Sequence, residues 1–403
     1  MRNRTLTALL VAEVVSSTGS AMTFVALPWF VLVTSTPARM SFVLAAEILP
    51  MALFGIPSGA VVARLGSRVS MLISDAVRAP LIALLPVLYW AGALNFGWLL
   101  AIAFLMGVFI TPYISAQRTI IPELFGDDET LVAKASGLFG AAAQAPIIIG
   151  PILAGFLIGW IGTPSVLVID AATFLFAFVV VLLFVRGGAA VPQDDESKGL
   201  LAGVRYLTRD RLLGPMTLTL IVLDGSANAI AVAVPLLAYT RYDKNPHVAA
   251  WVFAAFGIGV MVGAVSVIKL VDRFRPLRLA AVGILLVAAP LWVVVAPVPW
   301  AVVCLAIFLC GLFVPLCNAP IMAILTTRPP AALRAKVMTA TLTASGLGGP
   351  AVRLLVGPVY NGWGNAGVWT MLAGGLSLGA LLFAGAAMRA DALEGAQATP
   401  KIA

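Results

Sequence analysis

Five carboxylic acids lie within, or at the ends of, long apolar segments of this chain. They are Glu13, Glu47, Asp75, Asp170 and Asp224. A charge in the hydrocarbon core of a membrane is costly unless it is paired, hydrated or neutralised. Desolvation favours the neutral form of a carboxyl group, so an acid in such a position can bind and release a proton. The chemistry that these residues predict is therefore proton or cation binding inside a membrane.

Two of these acids lie where a coupling ion or a substrate would bind. Asp224 is about twelve residues, or ~18 Å, into its predicted helix, and Asn228 follows one turn later. Glu13 begins a polar stripe that continues through Ser16 and Ser20 on one helix face. We predict that these residues bind protons or a cationic substrate. The alternatives are a buried acid capped by polar neighbours at Asp224, and interhelical hydrogen bonding at Glu13.

Four further polar residues favour structural roles. Asp75 and Arg78 are spaced i, i+3 near the predicted inner end of their helix, which indicates a local salt bridge that anchors the adjoining loop. Asp170 is expected at the membrane interface. His247, the only histidine, is expected in a solvated loop.

The residue types in this chain do not indicate an enzyme. With a single histidine and no nucleophile motif or clustered carboxylates, we expect no metal site, no catalytic residues and no cofactor. No Gly-rich loop ending in Lys-Ser/Thr is present, which argues against an ATP-driven pump. A membrane-embedded enzyme is thus the least favoured class.

Long apolar runs must position these residues. The chain has 403 residues, of which 61% are hydrophobic and only 10% are charged. Runs of ~20 apolar residues can each cross the hydrocarbon core as a helix. The sequence predicts an all-α polytopic membrane protein with twelve spans. They lie near 7–32, 41–63, 69–91, 97–117, 134–160, 165–186, 212–238, 249–271, 277–296, 300–324, 335–360 and 366–388.

The basic residues set the predicted orientation. Most Lys and Arg fall in the loops of one side, together with both ends of the chain, which predicts cytoplasmic termini. The net charge of +8 is therefore a topology signal, and the expected surroundings are a lipid bilayer rather than nucleic acid.

A hydrophilic segment and an internal repeat divide the chain in two. We predict a six-helix bundle at 1–186, a cytoplasmic linker with an amphipathic surface helix at 187–211, a second bundle at 212–390, and a cytoplasmic tail at 391–403. The segments FLMGVFITPYISA and FLCGLFVPLCNAP occupy matching places in the two halves. Parallel six-helix repeats are typical of transporters with a substrate site between two pseudo-symmetric bundles around a central cavity.

Two motifs resemble those of the major facilitator superfamily. GAVVARLGSR is similar to the family's loop after helix 2, through Gly59, Arg64, Gly66 and Arg68, with Ala63 in place of the usual Asp. The corresponding loop of the second half contains Asp272 and Arg273. The helix 5 segment resembles the antiporter signature through Gly150, Pro151 and Gly155, and helix 11 has its own pair, Gly357 and Pro358. Such small residues and prolines allow close helix packing and bending.

Smaller segments, SDAVRA, DAATF and GVRYL among them, are similar to the macrolide-efflux and enterobactin-exporter branch of drug:proton antiporters. This resemblance implies proton-coupled export of amphipathic small molecules, such as drugs, secreted metabolites or siderophores, by a monomer in the inner (plasma) membrane. In the resembling fold helices 2 and 11 face each other, so we predict an outer-gate ion pair between Glu47 and Arg353. The alternative to this pair is that each charge is satisfied within its own half of the chain. The alternatives to proton-coupled export are a lipid or lysolipid flippase and a proton-independent facilitator.

Overall fold

The computed structural model describes residues 2–125, 129–185, 196–210, 212–271, 276–330 and 333–398. Every element in these ranges is a helix. The helices are α1 (Arg2–Thr34), α2 (Pro37–Leu65), α3 (Ser67–Trp90), α4 (Phe96–Phe125), α5 (Glu129–Ile161), α6 (Thr163–Phe184), α7 (Glu196–Arg209), α8 (Leu213–Arg241), α9 (Pro246–Val271), α10 (Pro276–Ala288), α11 (Leu291–Val295), α12 (Trp300–Thr327), α13 (Arg334–Gly346) and α14 (Gly348–Ala398).

The prediction of an all-helical chain with twelve spans is confirmed. Ten stretches of the described residues are long and apolar enough to cross a membrane, and one of them, Lys336–Ala386, is 51 residues long and holds two spans. The apolar half of α5, Ala145–Ile161, supplies the remaining span. Large apolar side chains such as Trp160, Leu183 and Val265 are exposed on the helix surfaces. Lipid, rather than water, is the solvent that suits so apolar an exterior.

Three of the predicted spans differ from single straight helices. Span 9 is divided at Pro290 into α10 and α11, because proline cannot donate the next helical hydrogen bond. Span 11 is divided at Leu347 into α13 and the first part of α14. The second part of α14 is span 12, and the two parts meet at Gly364, whose φ of 62° interrupts the helix. Glycine adopts this conformation without the strain that a side chain would add.

The chain forms two compact units. The first comprises Met1–Asp194 and Val234–Ala254, and the second comprises Asp195–Ala233 and Ala255–Ala403. The division into two six-helix domains joined by a linker stays a prediction. The first unit thus contains α1–α6 together with the connected ends of α8 and α9.

The ends of α8 and α9 pack against α1 and α5 within the first unit. The Phe24 and Phe253 rings meet edge to face at 5.4 Å, and the Trp29 and Tyr239 rings do so at 5.5 Å. His247 lies in the first turn of α9, with its ring 5.2 Å from that of Phe156. The expectation that His247 lies in a solvated loop was therefore wrong.

In the second unit α7 packs against α13. A methyl group on Gly203 would overlap the backbone carbonyl of Lys336, so glycine allows the two backbones to approach closely. Leu207, one turn later on the same face, is buried, whereas Val204 is exposed. The placement of α7 on the membrane surface stays a prediction.

Asp210 caps the start of α8 in the same unit. Its Oδ1 accepts hydrogen bonds from the backbone N–H groups of Leu212 (2.9 Å) and Leu213 (2.8 Å), and Oδ2 accepts one from Arg328 Nε (3.2 Å). Partial burial alone would raise the pKa of Asp210. The backbone donors and the Arg328 guanidinium outweigh that effect and lower this pKa below its usual value.

We expect Asp210→Ala to lower the free energy of unfolding by about 1 kcal/mol at neutral pH, the usual worth of a helix cap. Because the pKa of Asp210 is lowered by folding, its stabilisation is complete above the unfolded value near ~4 and is lost as the pH falls below it. Thermal unfolding in detergent across this range measures the difference. Asp210→Asn, which keeps a capping oxygen, should lose less. A loss at Asp210→Ala that is the same at acidic and neutral pH would contradict this account.

Candidate functional site: a buried carboxylate cluster in the first unit

Small residues bring the polar faces of α1, α5 and α6 together. A methyl group on Gly19 would overlap the Thr173 hydroxyl and lie against Asp170, and one on Gly150 would overlap Ala21. Glycine at these two positions therefore lets α6 and α5 approach α1 closely. The polar stripe of α1 consequently faces the interior of the first unit.

Glu13 is held by donors from two helices. It is 2% exposed, and its Oε1 accepts a 2.5 Å hydrogen bond from Ser17 Oγ on α1. Its Oε2 accepts hydrogen bonds from Gln117 Nε2 at 2.6 Å and from the Tyr113 hydroxyl at 3.4 Å, both on α4. Ser16, also buried, is hydrogen-bonded to the Tyr113 hydroxyl. The alternative of interhelical hydrogen bonding is thus observed for Glu13, and its role in coupling stays a prediction.

Asp170 is buried between α6 and α1. It is 0% exposed, its Oδ2 accepts a 2.5 Å hydrogen bond from Thr23 Oγ1, and its Oδ1 accepts one at 3.2 Å from Thr173 Oγ1. Asp170 faces α1, where the hydroxyl of Thr23 hydrogen-bonds to it in place of water, and its predicted position near the membrane interface stays a prediction. It belongs to the same cluster as Glu13.

Asp75 and Arg78 form the centre of the cluster. Their closest charged atoms, Asp75 Oδ1 and Arg78 Nη1, are 3.9 Å apart, and both side chains are almost fully buried. Arg78 Nη2 donates a 3.3 Å hydrogen bond to Ser20 Oγ, and the guanidinium carbon lies 4.0 Å from the centre of the Phe174 ring. The predicted i, i+3 salt bridge is therefore present, but it reaches α1 and α6 and does not anchor a loop.

The charges of this cluster do not balance. Glu13, Asp75 and Asp170 contribute three carboxylates, and Arg78 contributes one guanidinium. Glu13 and Asp170 both act electrostatically on Asp75. Burying this excess of negative charge is costly unless a cation joins the cluster. The arrangement is thus suited to bind one or more protons.

Asp224 lies in a separate polar group of the second unit. It is half-buried on α8, and the Ser345 hydroxyl on α13 hydrogen-bonds to its carboxylate. Asn228 Nδ2 donates to the backbone carbonyl of Asp224 at 2.9 Å, not to its carboxylate. Arg353 Nε donates to the backbone carbonyl of Asn228 at 3.3 Å. These contacts place Asp224 beside polar neighbours on a surface that is only partly covered.

The motif residues Gly59, Arg64, Gly66 and Arg68 lie at the turn between α2 and α3 and in the helix ends on either side of it. Gly66, with φ of 82°, ends α2 and precedes α3. Arg68 caps the end of α6, because its Nε and Nη2 donate to the backbone carbonyls of Val185 and Leu182. Gly59 and Arg64 lie in the last turns of α2, where Arg64 is exposed. Asp272 and Arg273 lie outside the described residues.

Glu123, near the end of α4, contacts this turn, and the sequence pattern did not reveal it. Its Oε1 accepts a 2.6 Å hydrogen bond from Ser67 Oγ, and its Oε2 accepts one at 3.1 Å from the Ser67 backbone N–H. An acid at a helix N-terminus interacts favourably with the helix dipole. The motif position of Ala63 lacks its acid, and α4 supplies one at the start of α3 instead.

The helix 5 signature residues pack closely in the first unit. Pro151 is buried next to Gly150 in α5, and a methyl group on Gly155 would overlap the side chain of Ala250 in α9. In the second unit Gly357 is buried and Pro358 is exposed within α14. A role for these residues in conformational change stays a prediction.

The outer-gate pair stays a prediction as well. Glu47 lies half-buried on α2 of the first unit, within electrostatic range of Asp170. Arg353 lies buried on α14 of the second unit and contacts Asn228 there.

Comparison with known proteins decides the family. The model of the Major Facilitator Superfamily matches residues 9–352. The chain belongs to this superfamily. The multidrug efflux pump Tap of Mycolicibacterium fortuitum is 28% identical over 369 residues, which cover 88% of this chain and 89% of that pump. The enterobactin exporter EntS of Escherichia coli is 26% identical over 211 residues, about half of each chain (50% and 48%).

Solved structures of the superfamily share the fold. The nucleoside transporter NupG, in its D323A form, aligns with a TM-score of 0.81 at 12% identity, over 94% of this chain and 99% of that one. A bacterial homologue of the lysosomal transporter Spinster aligns with a TM-score of 0.76 at 15% identity, over 96% and 97%. The chain is therefore a multi-pass membrane transporter of small substrates, not an enzyme, and its resemblance to the superfamily is confirmed.

Proposed function

We propose that this transporter exports amphipathic small molecules in exchange for protons. It acts as a monomer in the inner (plasma) membrane, with both termini in the cytoplasm. The observation that carries proton coupling is the buried cluster of three carboxylates around the single guanidinium of Arg78. Export is supported by the relatives of the chain, two of which are a multidrug efflux pump and an enterobactin exporter.

The two polar groups suit different parts of this exchange. The cluster at Glu13 is at most a few per cent exposed, so it has room for a proton but not for an organic molecule. Asp224 is only half-buried and has the amide of Asn228 nearby, so its carboxylate can meet the charged head of a larger ligand. Our proposal therefore assigns proton coupling to the cluster and recognition of cationic substrates to Asp224.

Proton release on ligand addition tests the proposal. Purified protein in weakly buffered detergent is titrated with lipophilic cationic drugs, neutral macrolides and siderophores, while the pH and ligand binding are recorded. We expect at least one class to bind with release of protons. Binding without proton release, at every pH near neutrality, would contradict antiport and favour a facilitator or a lipid flippase.

The substrate role of Asp224 has its own prediction. Asp224→Asn should weaken binding of monocationic drugs about tenfold, equivalent to ~1.4 kcal/mol, because it removes the charge partner. Binding of neutral macrolides should change little. Asp243→Asn is the matched control, since Asp243 is exposed in the turn before α9 and its φ of 50° is one that asparagine readily adopts. Equal losses for cationic and neutral ligands would contradict the assignment.

A further inference from the structure

Asp75 is the least supported of the buried carboxylates. Glu13 accepts hydrogen bonds from Ser17, Gln117 and Tyr113. Asp170, by contrast, is held by two threonine hydroxyls. Among the described residues, no donor reaches either carboxylate oxygen of Asp75. Hydrogen bonds to a carboxylate stabilise its ionised form. Asp75 is therefore the member of the cluster for which a negative charge is most costly.

The Arg78 guanidinium does not form a close hydrogen-bonded ion pair with Asp75. The 3.9 Å separation of Nη1 from Asp75 Oδ1 is longer than a charged hydrogen bond, and no acceptor among the described residues reaches Nε. Arg78 also acts electrostatically on Asp170, while Phe174 holds the plane of the guanidinium from one side. The single positive charge of Arg78 can therefore pair with the carboxylate of Asp75 on α3 or with that of Asp170 on α6.

Burial limits which cation can join this cluster. Asp75 is 1% exposed, Asp170 0% and Arg78 3%, which leaves no room for an organic cation beside them. A metal ion such as sodium needs several oxygen ligands at once, but the oxygens of Asp170 already accept hydroxyl hydrogen bonds. A proton needs only one carboxylate oxygen. The geometry therefore selects a proton.

We propose that Asp75 binds and releases the coupled proton, and that Arg78 shifts its pairing from Asp75 to Asp170 when Asp75 is protonated. This inference rests on the proposed antiport. One O–H bond forms at an Asp75 carboxylate oxygen with a proton taken from water on the outer side. The same bond breaks when the proton returns to water on the cytoplasmic side. While the proton is bound, Asp75 is neutral, and the positive charge of Arg78 can pair with Asp170 on α6.

The surrounding charges favour this division of roles. Glu13 on α1 and Asp170 on α6 accept hydrogen bonds that Asp75 lacks, and both act electrostatically on Asp75, so each makes a negative charge on Asp75 more costly. Tyr113 on α4 also lies within electrostatic range of Asp75, and Glu47 on α2 acts on Asp170. With Asp75 as the exchangeable acid beside a single guanidinium, the cluster changes its charge by one unit for each proton.

Asp75→Asn tests the assignment by separating proton release from ligand binding. In the detergent titration we expect this variant to bind drug with an affinity within about threefold of the wild type, with no proton release. In proteoliposomes, drug counterflow should persist, whereas accumulation driven by a pH gradient should be lost. Thermal stability should be equal or higher, because the substitution removes a buried charge that accepts no hydrogen bond. A residue with only a structural role would lower stability and leave coupling intact.

Controls distinguish the failure of this inference from the failure of antiport. Asp243→Asn should release protons like the wild type. A wild type that binds drug without proton release would overturn antiport itself, whereas equal release by wild type and Asp75→Asn would overturn only the role of Asp75. Replacing sodium by choline should change nothing, and sodium dependence would also overturn the assignment. If Asp75→Asn fails to fold, Asp75→Glu decides, because the pH midpoint of proton release must then move.

Discussion

We expect the substitution Arg78→Gln to lower the free energy of unfolding by about 3–5 kcal/mol, the loss typical when one partner is removed from a buried ion pair. Arg78 is 3% exposed and is the only base in the described part of the cluster that contains Glu13, Asp75 and Asp170. Without it the three carboxylates would repel one another in a medium that screens charge poorly. Thermal unfolding in detergent and the yield of folded protein measure the effect.

Two companion variants separate charge from packing at this position. Arg78→Lys keeps the positive charge but loses the planar group that stacks on Phe174 at 4.0 Å, so we expect an intermediate loss. The double variant Arg78→Gln with Asp75→Asn removes one acid together with the base. It should be more stable than Arg78→Gln alone, and comparing this gain with the effect of Asp75→Asn in the wild type gives their coupling free energy. Wild-type stability in Arg78→Gln would contradict the charge balance described for the cluster.

The sequence predicted the helices well and the cluster poorly, for one physical reason. The length and composition of an apolar run determine whether it can cross a membrane, so the twelve spans follow from the chain alone. Spacing within a helix also places Asp75 and Arg78 on one face. It does not give the rotation of α3 relative to α6, and that rotation decides whether Arg78 meets Asp170. Packing between helices, to which Gly19 contributes, determines this contact.

The same reasoning applies to Asp170. Its position along α6, which begins at Thr163, could be predicted from the sequence, but its contact with Thr23 on α1 could not, because that contact depends on how α1 and α6 pack. For His247, by contrast, the sequence did contain the signals of a helix start. Asn245 caps α9, its Oδ1 accepting a hydrogen bond from the His247 backbone N–H at 3.0 Å, and Pro246 occupies the first turn. These two signals predict that His247 lies in a helix.

The acid of the inner loop shows why a motif can be complete in space but not in sequence. The pattern at 59–68 lacks its acidic residue at Ala63, which suggested a weakened loop. Glu123 lies more than fifty residues further along the chain, yet both its oxygens accept hydrogen bonds from Ser67. Only the packing of α4 beside α3 brings it there. A pattern search confined to neighbouring residues cannot find such a replacement.

The second large effect concerns the packing of α9 against α12 in the second unit. A methyl group on Gly263 would overlap the backbone carbonyl oxygen of Leu312, and one on Gly259 would overlap that of Phe308. On the facing helix, Gly311 meets the backbone carbonyl of Phe256 in the same way. These contacts involve backbone atoms of two helices, so no flexible side chain can move aside. Glycines four residues apart allow this close approach.

We therefore expect Gly263→Ala to cost about 3 kcal/mol, at the upper end of what overpacking produces, because the two helices must separate to admit the methyl group. Gly374→Ala is the matched control: Gly374 is also helical, but a methyl group there has nothing within 4 Å. Alanine favours the helix more than glycine does, so this control should be neutral or stabilised by up to ~1 kcal/mol. Thermal unfolding of both variants in the same detergent makes the comparison. If Gly263→Ala were as stable as Gly374→Ala, the α9–α12 contact would have to be looser than the backbone positions indicate. A loss confined to Gly263→Ala would show that the α9–α12 contact leaves no room for a methyl group at this position.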